Sequence, residues 1–250
     1  MERSEANNSN ITFSDLGGAP SVSLASSIED HDLYMGVIPG ITLARLFDQM
    51  GNTLLESNVR MFLGERGVNK GISQTIEENP LRFAAYNNGI TMVSKDAVIE
   101  GQSVVSASDI SIVNGGQTTV SIFKSFRREV DISDIQVPLK LVVIKTDEDA
   151  RRKGLLESIS RFSNTQNKVN SADRLAMDPP HPDLQESSKN PKFDVNGSGW
   201  FYERRRGEVT TLDISDPILS AQFRTRFPKE NVMDATVLAK MWNSWWGSPE

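Results

Sequence analysis

One short segment of the sequence places paired glycines and neutral polar side chains directly after an apolar run. The apolar stretch at 110–113 leads straight into it, and helically spaced apolar residues begin at Val120. Paired glycines let a backbone approach a ligand closely, and the N–H groups that begin a helix favour an anion. The segment predicts a phosphate-binding strand–turn–helix, and the alternative is a tight turn that leads into a core helix. Its candidate ligand-binding residues are Asn114, Gly115, Gly116, Gln117, Thr118 and Thr119.

This segment does not match the common phosphate-binding loops. No lysine follows the glycines, so it is not a Walker loop, and it lacks the G-x-G-x-x-G spacing of dinucleotide-binding turns. Gln117 can hydrogen-bond to a base or a sugar, and Thr118 or Thr119 can cap the helix.

Runs of asparagine and glutamine lie next to strongly apolar elements at two further places. Carboxamides both donate and accept, so they fix neighbouring loops or recognise base edges and phosphates. For any single asparagine the alternative is ordinary turn chemistry. A polar pocket shared with the glycine segment would explain both runs. The candidate residues are Asn87, Asn88, Asn164, Gln166 and Asn167.

An arginine-rich segment follows a group of aromatic residues that begins at Trp200. Aromatic rings beside arginines can stack bases and pair with phosphates. In the alternative interpretation, Glu203 and Glu208 form salt bridges with these arginines and the segment is a solvated edge strand. The candidate phosphate ligands are Arg204, Arg205 and Arg206.

Carboxylates in the same part of the chain are the candidates for acid–base chemistry or for holding a metal. None lies in a D-x-D, PD-(D/E)-x-K or H-x-E spacing. A magnesium site needs only one or two carboxylates together with the phosphates of a substrate, so Mg²⁺ is the cofactor that the sequence leaves open. The candidate catalytic residues are Asp173, Glu203 and Glu208.

Composition narrows the classes of protein. The 250 residues include no cysteine, which excludes disulfide frameworks, zinc–thiolate and iron–sulfur sites and thiol nucleophiles. The presence of only two histidines argues against a histidine-rich metal site or a Ser-His-Asp triad. A net charge of −6 argues against wholesale coating of nucleic acid and leaves room for a local basic patch. No apolar run is long enough to span a membrane and residues 1–10 are polar, so we expect a cytoplasmic chain without membrane contact.

Alternating strand and helix patterns predict an α/β or α+β fold, with a mixed sheet and flanking helices. Residues 1–32 are expected to form a flexible polar leader, and residues 33–250 a single domain. Asn88-Gly89 is predicted to turn between two strands. The predicted strands lie at 35–38, 83–86, 90–93, 98–99, 104–105, 110–113, 137–144 and 200–203. The predicted helices lie at 43–50, 68–79, 120–126, 147–162 and 234–245, with a further one opening at 171.

The order of the motifs along the chain resembles that of a known family. The motifs lie at 55–64, 68–69, 86–91, 112–119, 164–169 and 202–208. Together they resemble the AIPR family, the bacterial abortive-infection phage-resistance proteins, over roughly residues 33–250. The resemblance implies a cytoplasmic role in defence against phage. Because members of that family are usually longer, we expect the domain to be truncated at its C-terminal end.

A looser resemblance concerns the glycine segment alone. Its Asn-Gly-Gly-Gln-Thr turn is similar to the Asp-Gly-Gln-His-Arg turn of the DGQHR/DndB-like proteins, which share the ParB/sulfiredoxin fold. This implies a ParB/sulfiredoxin-like core that binds a nucleotide or DNA at the turn. The present sequence departs from the pattern, since Asn114 replaces the acid and Thr118-Thr119 replace the histidine and arginine.

Three functions are compatible with these patterns. The first is a Mg²⁺-dependent nuclease or nucleotide hydrolase acting on phage or host nucleic acid. The second is a non-catalytic module that senses DNA or a nucleotide and controls a separate effector domain or partner protein. The third is a protein-interaction scaffold that uses the surface of Trp242 and Trp245.

Overall fold

The chain divides into two compact units, each of which is described by itself. The computed structural model describes residues 10–55, 68–146, 148–165, 180–194, 198–205 and 207–246. The first unit comprises residues 1–58 and 65–163, and the second comprises residues 59–64 and 164–250. No helix within the described ranges is long and apolar enough to cross a membrane.

An eight-stranded mixed sheet forms the first unit. Its strands are β1 (Asn10–Thr12), β2 (Ser21–Ser27), β3 (His31–Pro39), β4 (Ile90–Ser94), β5 (Asp96–Glu100), β6 (Ser103–Ser108), β7 (Ser111–Asn114) and β8 (Gln136–Ile144). The order is β1-β6-β2-β3-β8-β4-β7, with β5 also paired to β6. β4 and β8 run parallel, whereas β3 and β8 run antiparallel over nine residue pairs. The predicted mixed sheet is confirmed, while the ParB/sulfiredoxin-like core stays a prediction.

Five described helices pack against this sheet or against one another. They are α1 (Gly40–Met50), α2 (Val68–Glu78), α3 (Phe83–Tyr86), α4 (Gly116–Arg127) and α5 (Asp149–Thr165). The apolar face of α1 meets that of α4, where the rings of Phe47 and Phe123 pack edge to face with centroids 5.0 Å apart. Both rings are fully buried. The apolar spacing that predicts these helices is therefore the spacing of core residues.

Residues 10–32, part of the segment expected to form a flexible leader, contain β1, β2 and the start of β3. Most residues of β2 are exposed, and only Val22 is buried. The strand is rich in serine, so its composition resembles that of a loop. Its hydrogen bonds to β3, not its side chains, hold it in the sheet. Phe13, buried in a short 3₁₀ helix between β1 and β2, anchors the same segment.

The predicted strand at 83–86 is also wrong, because these residues form the helical turn α3. The backbone N–H and the side-chain Nδ2 of Asn87 both donate to the carbonyl oxygen of Phe83, each at 3.1 Å. Only Phe83 is buried in this turn. A strand with one buried face would bury every second residue, so this burial pattern fits a single helical turn better. Asn88-Gly89 therefore leads from a helix into β4 and does not close a hairpin.

The second unit contains a two-stranded parallel sheet and four described helices. They are β9 (Phe201–Glu203), β10 (Val232–Asp234), α6 (His181–Ser188), α7 (Glu208–Ser215), α8 (Pro217–Arg226) and α9 (Ala235–Trp245). Its core is aromatic, with Phe201 and Phe227 buried and Phe223 packed between them. Asp234 caps α9 by accepting a hydrogen bond from the N–H of Val237 at 2.8 Å.

Candidate functional site

Two glycine turns of the first unit pack directly on one another. Gly115, with φ of 93°, turns the chain from β7 into α4, and a Cβ there would lie 2.6 Å from the carbonyl oxygen of Gly89. Gly89, with φ of 73°, turns the chain into β4, and a Cβ there would lie 2.0 Å from the carbonyl oxygen of Pro138. Only glycine fits such left-handed, crowded positions. We call the pair Gly89 and Gly115 the glycine junction.

The glycine junction brings two of the predicted polar runs to one edge of the sheet. β4 begins just after Gly89 and β7 ends at Asn114, and these strands pair there through Thr91 and Asn114. Asn88 is exposed at this edge and Gln117, in the first turn of α4, is half-buried. The predicted proximity of the 87–88 and 114–117 segments therefore follows from strand pairing.

Other predicted ligands at this edge make hydrogen bonds within the protein. The Nδ2 of Asn114 donates to the carbonyl oxygen of Ser163 at 2.8 Å, which ties β7 to the last turns of α5. Thr119 is fully buried, and its Oγ1 donates to the carbonyl oxygen of Gly115 at 3.1 Å. Gly116 and Thr118 are also buried. These side chains stabilise the turn, as the tight-turn interpretation expects.

Four of the predicted residues cannot be placed. Gln166, Asn167, Asp173 and Arg206 lie outside the described residues. Asn164 belongs to the backbone of α5, and its side chain is likewise outside the described part.

The arginine-rich segment of the second unit is folded inward. The side chain of Arg205 is 6% exposed, and its Nη2 donates to Oε1 of Glu208 at 3.1 Å. Oε2 of Glu208 accepts a second hydrogen bond from Nε2 of Gln185 at 2.8 Å. Oε1 of Gln185 in turn accepts from Nε of Arg204 at 3.3 Å. We call these four residues the arginine–glutamate network, and the predicted salt bridge is present in it, although buried and not solvated.

Glu203, the other candidate acid, is also engaged inside the second unit. Its Oε1 accepts a hydrogen bond from the backbone N–H of Val209 at 3.1 Å. Burial raises the pKa of Glu203 above its ordinary value, and the carboxylates of Glu208 and Asp234 raise it further. Within the described ranges, no three histidine, aspartate or glutamate side chains are grouped as metal ligands would be.

A comparison with protein families assigns the chain. A family model described as AIPR protein matches residues 55–250, well over half of the chain. The chain belongs to the AIPR family. The glycine junction and the arginine–glutamate network both lie within the residues that match the AIPR model. Membership indicates a role in abortive infection and anti-phage defence.

Two other comparisons add no relative to the AIPR assignment. No curated protein and no solved structure gave a significant match to the chain.

Sequence patterns miss two exposed residues of this AIPR chain beside the glycine junction. The ring of Tyr86 is at the end of α3, directly before the asparagine run, and the residue is 58% exposed. Nη1 of Arg82, one helical turn earlier, donates to the Tyr86 hydroxyl at 3.1 Å. In the sequence, Tyr86 is visible as the first residue of the motif at 86–91, but its exposure and its contact with Arg82 are not.

The raised pKa of Glu203 has a testable consequence for the AIPR chain's stability. The folded protein holds this proton more tightly than the unfolded chain, so the contribution of Glu203 to stability falls as pH rises from its ordinary pKa of 4.5 through the raised pKa. The Glu203→Gln variant keeps an oxygen for the Val209 N–H and removes the titration. We expect the variant to be more stable than the parent at about pH 7, with the difference narrowing toward about pH 5.

Thermal midpoints of both proteins, followed by tryptophan fluorescence at several pH values, measure this difference. A constant difference at every pH would mean that Glu203 does not titrate differently in the folded chain.

Proposed function

We propose that this AIPR chain acts in abortive-infection defence by binding single-stranded nucleic acid at the edge that carries the glycine junction. The observation that carries the proposal is the contact between Gly89 and Gly115, because it gathers Asn88, Gln117 and the α3 turn at one edge. Binding, not hydrolysis, is favoured because Glu203 and Glu208 accept hydrogen bonds within the second unit.

An exposed aromatic ring supplies the first part of the interaction. Tyr86 is more than half exposed, and Arg82 lies against its hydroxyl. Bases of any sequence stack on such rings, and alanine substitution of a stacking residue costs about 1–3 kcal/mol per base. A base is available for stacking only when it is unpaired, which favours a single strand over a duplex.

Carboxamides supply the second part. Exposed Asn88 and half-buried Gln117 lie at the same edge, and each can donate and accept a hydrogen bond at a base edge or a sugar. The chain's net charge of −6 offers little general attraction for a polyanion. We therefore expect few phosphate contacts and a shallow dependence of affinity on salt.

Fluorescence anisotropy with labelled single-stranded DNA, single-stranded RNA and duplex DNA tests this proposal. We expect the single strands to bind more tightly than the duplex, and Tyr86→Ala to weaken binding by about 5- to 150-fold, the equivalent of about 1–3 kcal/mol. Gln117→Ala is expected to weaken it in the same direction.

Trp245→Ala is the matched control, because it removes a ring that is 86% exposed in the second unit. Unchanged affinity in this control, together with loss in Tyr86→Ala, supports the proposal. The absence of binding to all three nucleic acids, or equal losses in both aromatic variants, would refute it. Cleavage of the labelled nucleic acid during the titration would show that the function is hydrolysis and not binding alone.

A second candidate function, protein–protein interaction, is favoured by the exposed side of α9. Trp242 and Trp245 are 66% and 86% exposed, and Met241 beside them is 53% exposed. Contiguous apolar surface of this kind is typical of interaction sites. In a phage-challenge assay, loss of protection in Trp245→Ala with unchanged oligonucleotide affinity would favour this candidate.

A further inference from the structure

A cavity in the first unit lies away from the glycine junction. Its volume is about 470 Å³, which is within the roughly 300–1,000 Å³ range of small-molecule sites. It lies where β4, β7, β8 and the start of α5 meet. Its lining includes Val93, Lys95, Asp109, Ser111, Arg152 and Lys153.

The position of the cavity in the sheet is that of a ligand site. β4 and β8 are parallel, and the cavity is lined by Ser94 and Ile144, the last residues of these two strands. Ligands of sheets with parallel strands bind outside the carboxyl ends of the strands. The glycine junction lies at the other end of β4, before Ile90, so the two sites are separate.

Cations outnumber anions around the cavity. Lys95 and Lys153 are exposed residues of its lining, and half-buried Arg152 is a third cation there. Arg152 approaches two carboxylates, Asp109 at 3.6 Å and Asp149 at 2.9 Å, both of which also line the cavity. Three positive and two negative side chains leave a net positive charge, which favours an anionic ligand.

A buried hydroxyl lies behind the lining of the cavity. The Oγ of Ser111 is buried and makes no hydrogen bond to any of the described residues. Leaving a buried polar group unpaired costs about 1–3 kcal/mol, and most buried polar groups are paired. The Oγ of Ser111 presents no accessible surface to the cavity, so this hydroxyl belongs to the wall and is not a ligand contact. Next to it, Asp109 has φ of 48°, a left-handed conformation that is uncommon outside glycine and concentrates at functional sites.

Apolar side chains form the rest of the lining. Val93, Ile110, Ile144 and Leu156 present hydrocarbon surface to the cavity. A ligand that fills it must therefore combine an anionic group with a flat or apolar part. Inorganic phosphate has no apolar part and would leave this surface without a contact.

We propose that this cavity binds a nucleotide-sized organic phosphate. Lys95 and Lys153 hold the phosphate, and the apolar part of the ligand packs on Val93 and Leu156. The residues that line the cavity belong to the first unit, and its volume suits a small molecule. This site is independent of the strand-binding edge at the glycine junction.

Isothermal titration of the full chain with AMP, ATP, adenosine and inorganic phosphate tests the proposal. We expect AMP or ATP to bind at least about tenfold more tightly than either adenosine or phosphate alone. Lys153→Glu is expected to weaken nucleotide binding about tenfold or more. Lys140→Glu, which reverses an exposed lysine on β8 outside the cavity lining, is expected to leave it unchanged.

Ser111→Ala is a second control, because it changes the wall of the cavity without changing its charge. Removal of an unpaired buried hydroxyl should neither lower the thermal midpoint nor change nucleotide affinity. Tyr86→Ala should leave nucleotide affinity unchanged, which distinguishes this site from the strand-binding edge. The proposal is overturned if no probe binds at about 1 mM, if phosphate binds as well as AMP, or if Lys153→Glu and Lys140→Glu behave alike.

Discussion

Alanine at Gly89 is expected to lower the free energy of unfolding of the first unit by about 4 kcal/mol or more, among the largest effects of a single substitution. A Cβ at this position would lie 2.0 Å from the carbonyl oxygen of Pro138 and 2.6 Å from its Cβ. The backbone itself must therefore move. Such a movement would disturb the start of the parallel pairing, where Ile90 is paired with Leu139.

Gly101→Ala is the matched control for this prediction. Gly101 also has a left-handed φ, 63°, but no atom lies within 4 Å of a Cβ added there. Its substitution should cost only the roughly 1–2 kcal/mol of the left-handed conformation. The difference between the two variants measures the steric part.

Urea unfolding followed by two probes assigns the effect to one unit. All four tryptophans, Trp200, Trp242, Trp245 and Trp246, lie in the second unit, so their fluorescence reports its unfolding, and far-ultraviolet circular dichroism includes the large sheet of the first. We expect Gly89→Ala to shift the circular dichroism transition. Equal losses in Gly89→Ala and Gly101→Ala would show that the approach of Gly89 to Pro138 is relaxed in solution.

Arg205→Met is expected to destabilise the second unit by about 3–5 kcal/mol. Removing the guanidinium leaves the carboxylate of Glu208, which is only 17% exposed, without its cationic partner. The hydrogen bond from Gln185 remains, but it cannot neutralise the charge. Methionine keeps most of the volume of the arginine stem, so the loss reports the ion pair more than a cavity.

Lys189→Met provides the comparison for this substitution. Lys189 pairs with Glu186 at 2.6 Å over the same helical spacing, but its side chain is 44% exposed. Exposed pairs contribute about 0–1 kcal/mol. The tryptophan-fluorescence midpoint in urea should therefore move far more for Arg205→Met. If the two variants unfold alike, the ion pair of Arg205 does not stabilise the second unit, and Arg205 is again a candidate phosphate ligand.

Sequence patterns predict those elements whose residues are buried on a regular period. The apolar run at 137–144 became β8, and the apolar face at 155–162 became part of α5. They fail at β2, because pairing with β3 holds an exposed strand whose composition is polar. They also fail at 83–86, where side-chain and backbone bonds of Asn87 close a helical turn.

The candidate site could be predicted only in its local chemistry. Gly115 is recognisable as a turn residue, but its contact with Gly89 depends on the pairing of β4 with β7, which no local pattern contains. Likewise, the sequence of the arginine run shows its charge, but not whether its side chains point into the protein or to solvent. The burial of Arg205 follows from its approach to Glu208 and the packing of Val209 in an aromatic core.

The place of β8 in the sheet determines the order in which the first unit can be completed during synthesis. β8 pairs with β3 on one side and β4 on the other, and its partner residues in β3 lie about a hundred positions earlier, as in the pairing of Val37 with Pro138. Until β8 has left the ribosome, β3 and β4 each expose an unpaired edge. Contacts this distant slow folding, and open edges invite pairing with other chains. The nascent chain is therefore open to edge pairing with other chains until the whole of β8 has emerged from the ribosome, and a chaperone that protects strand edges would act in that interval.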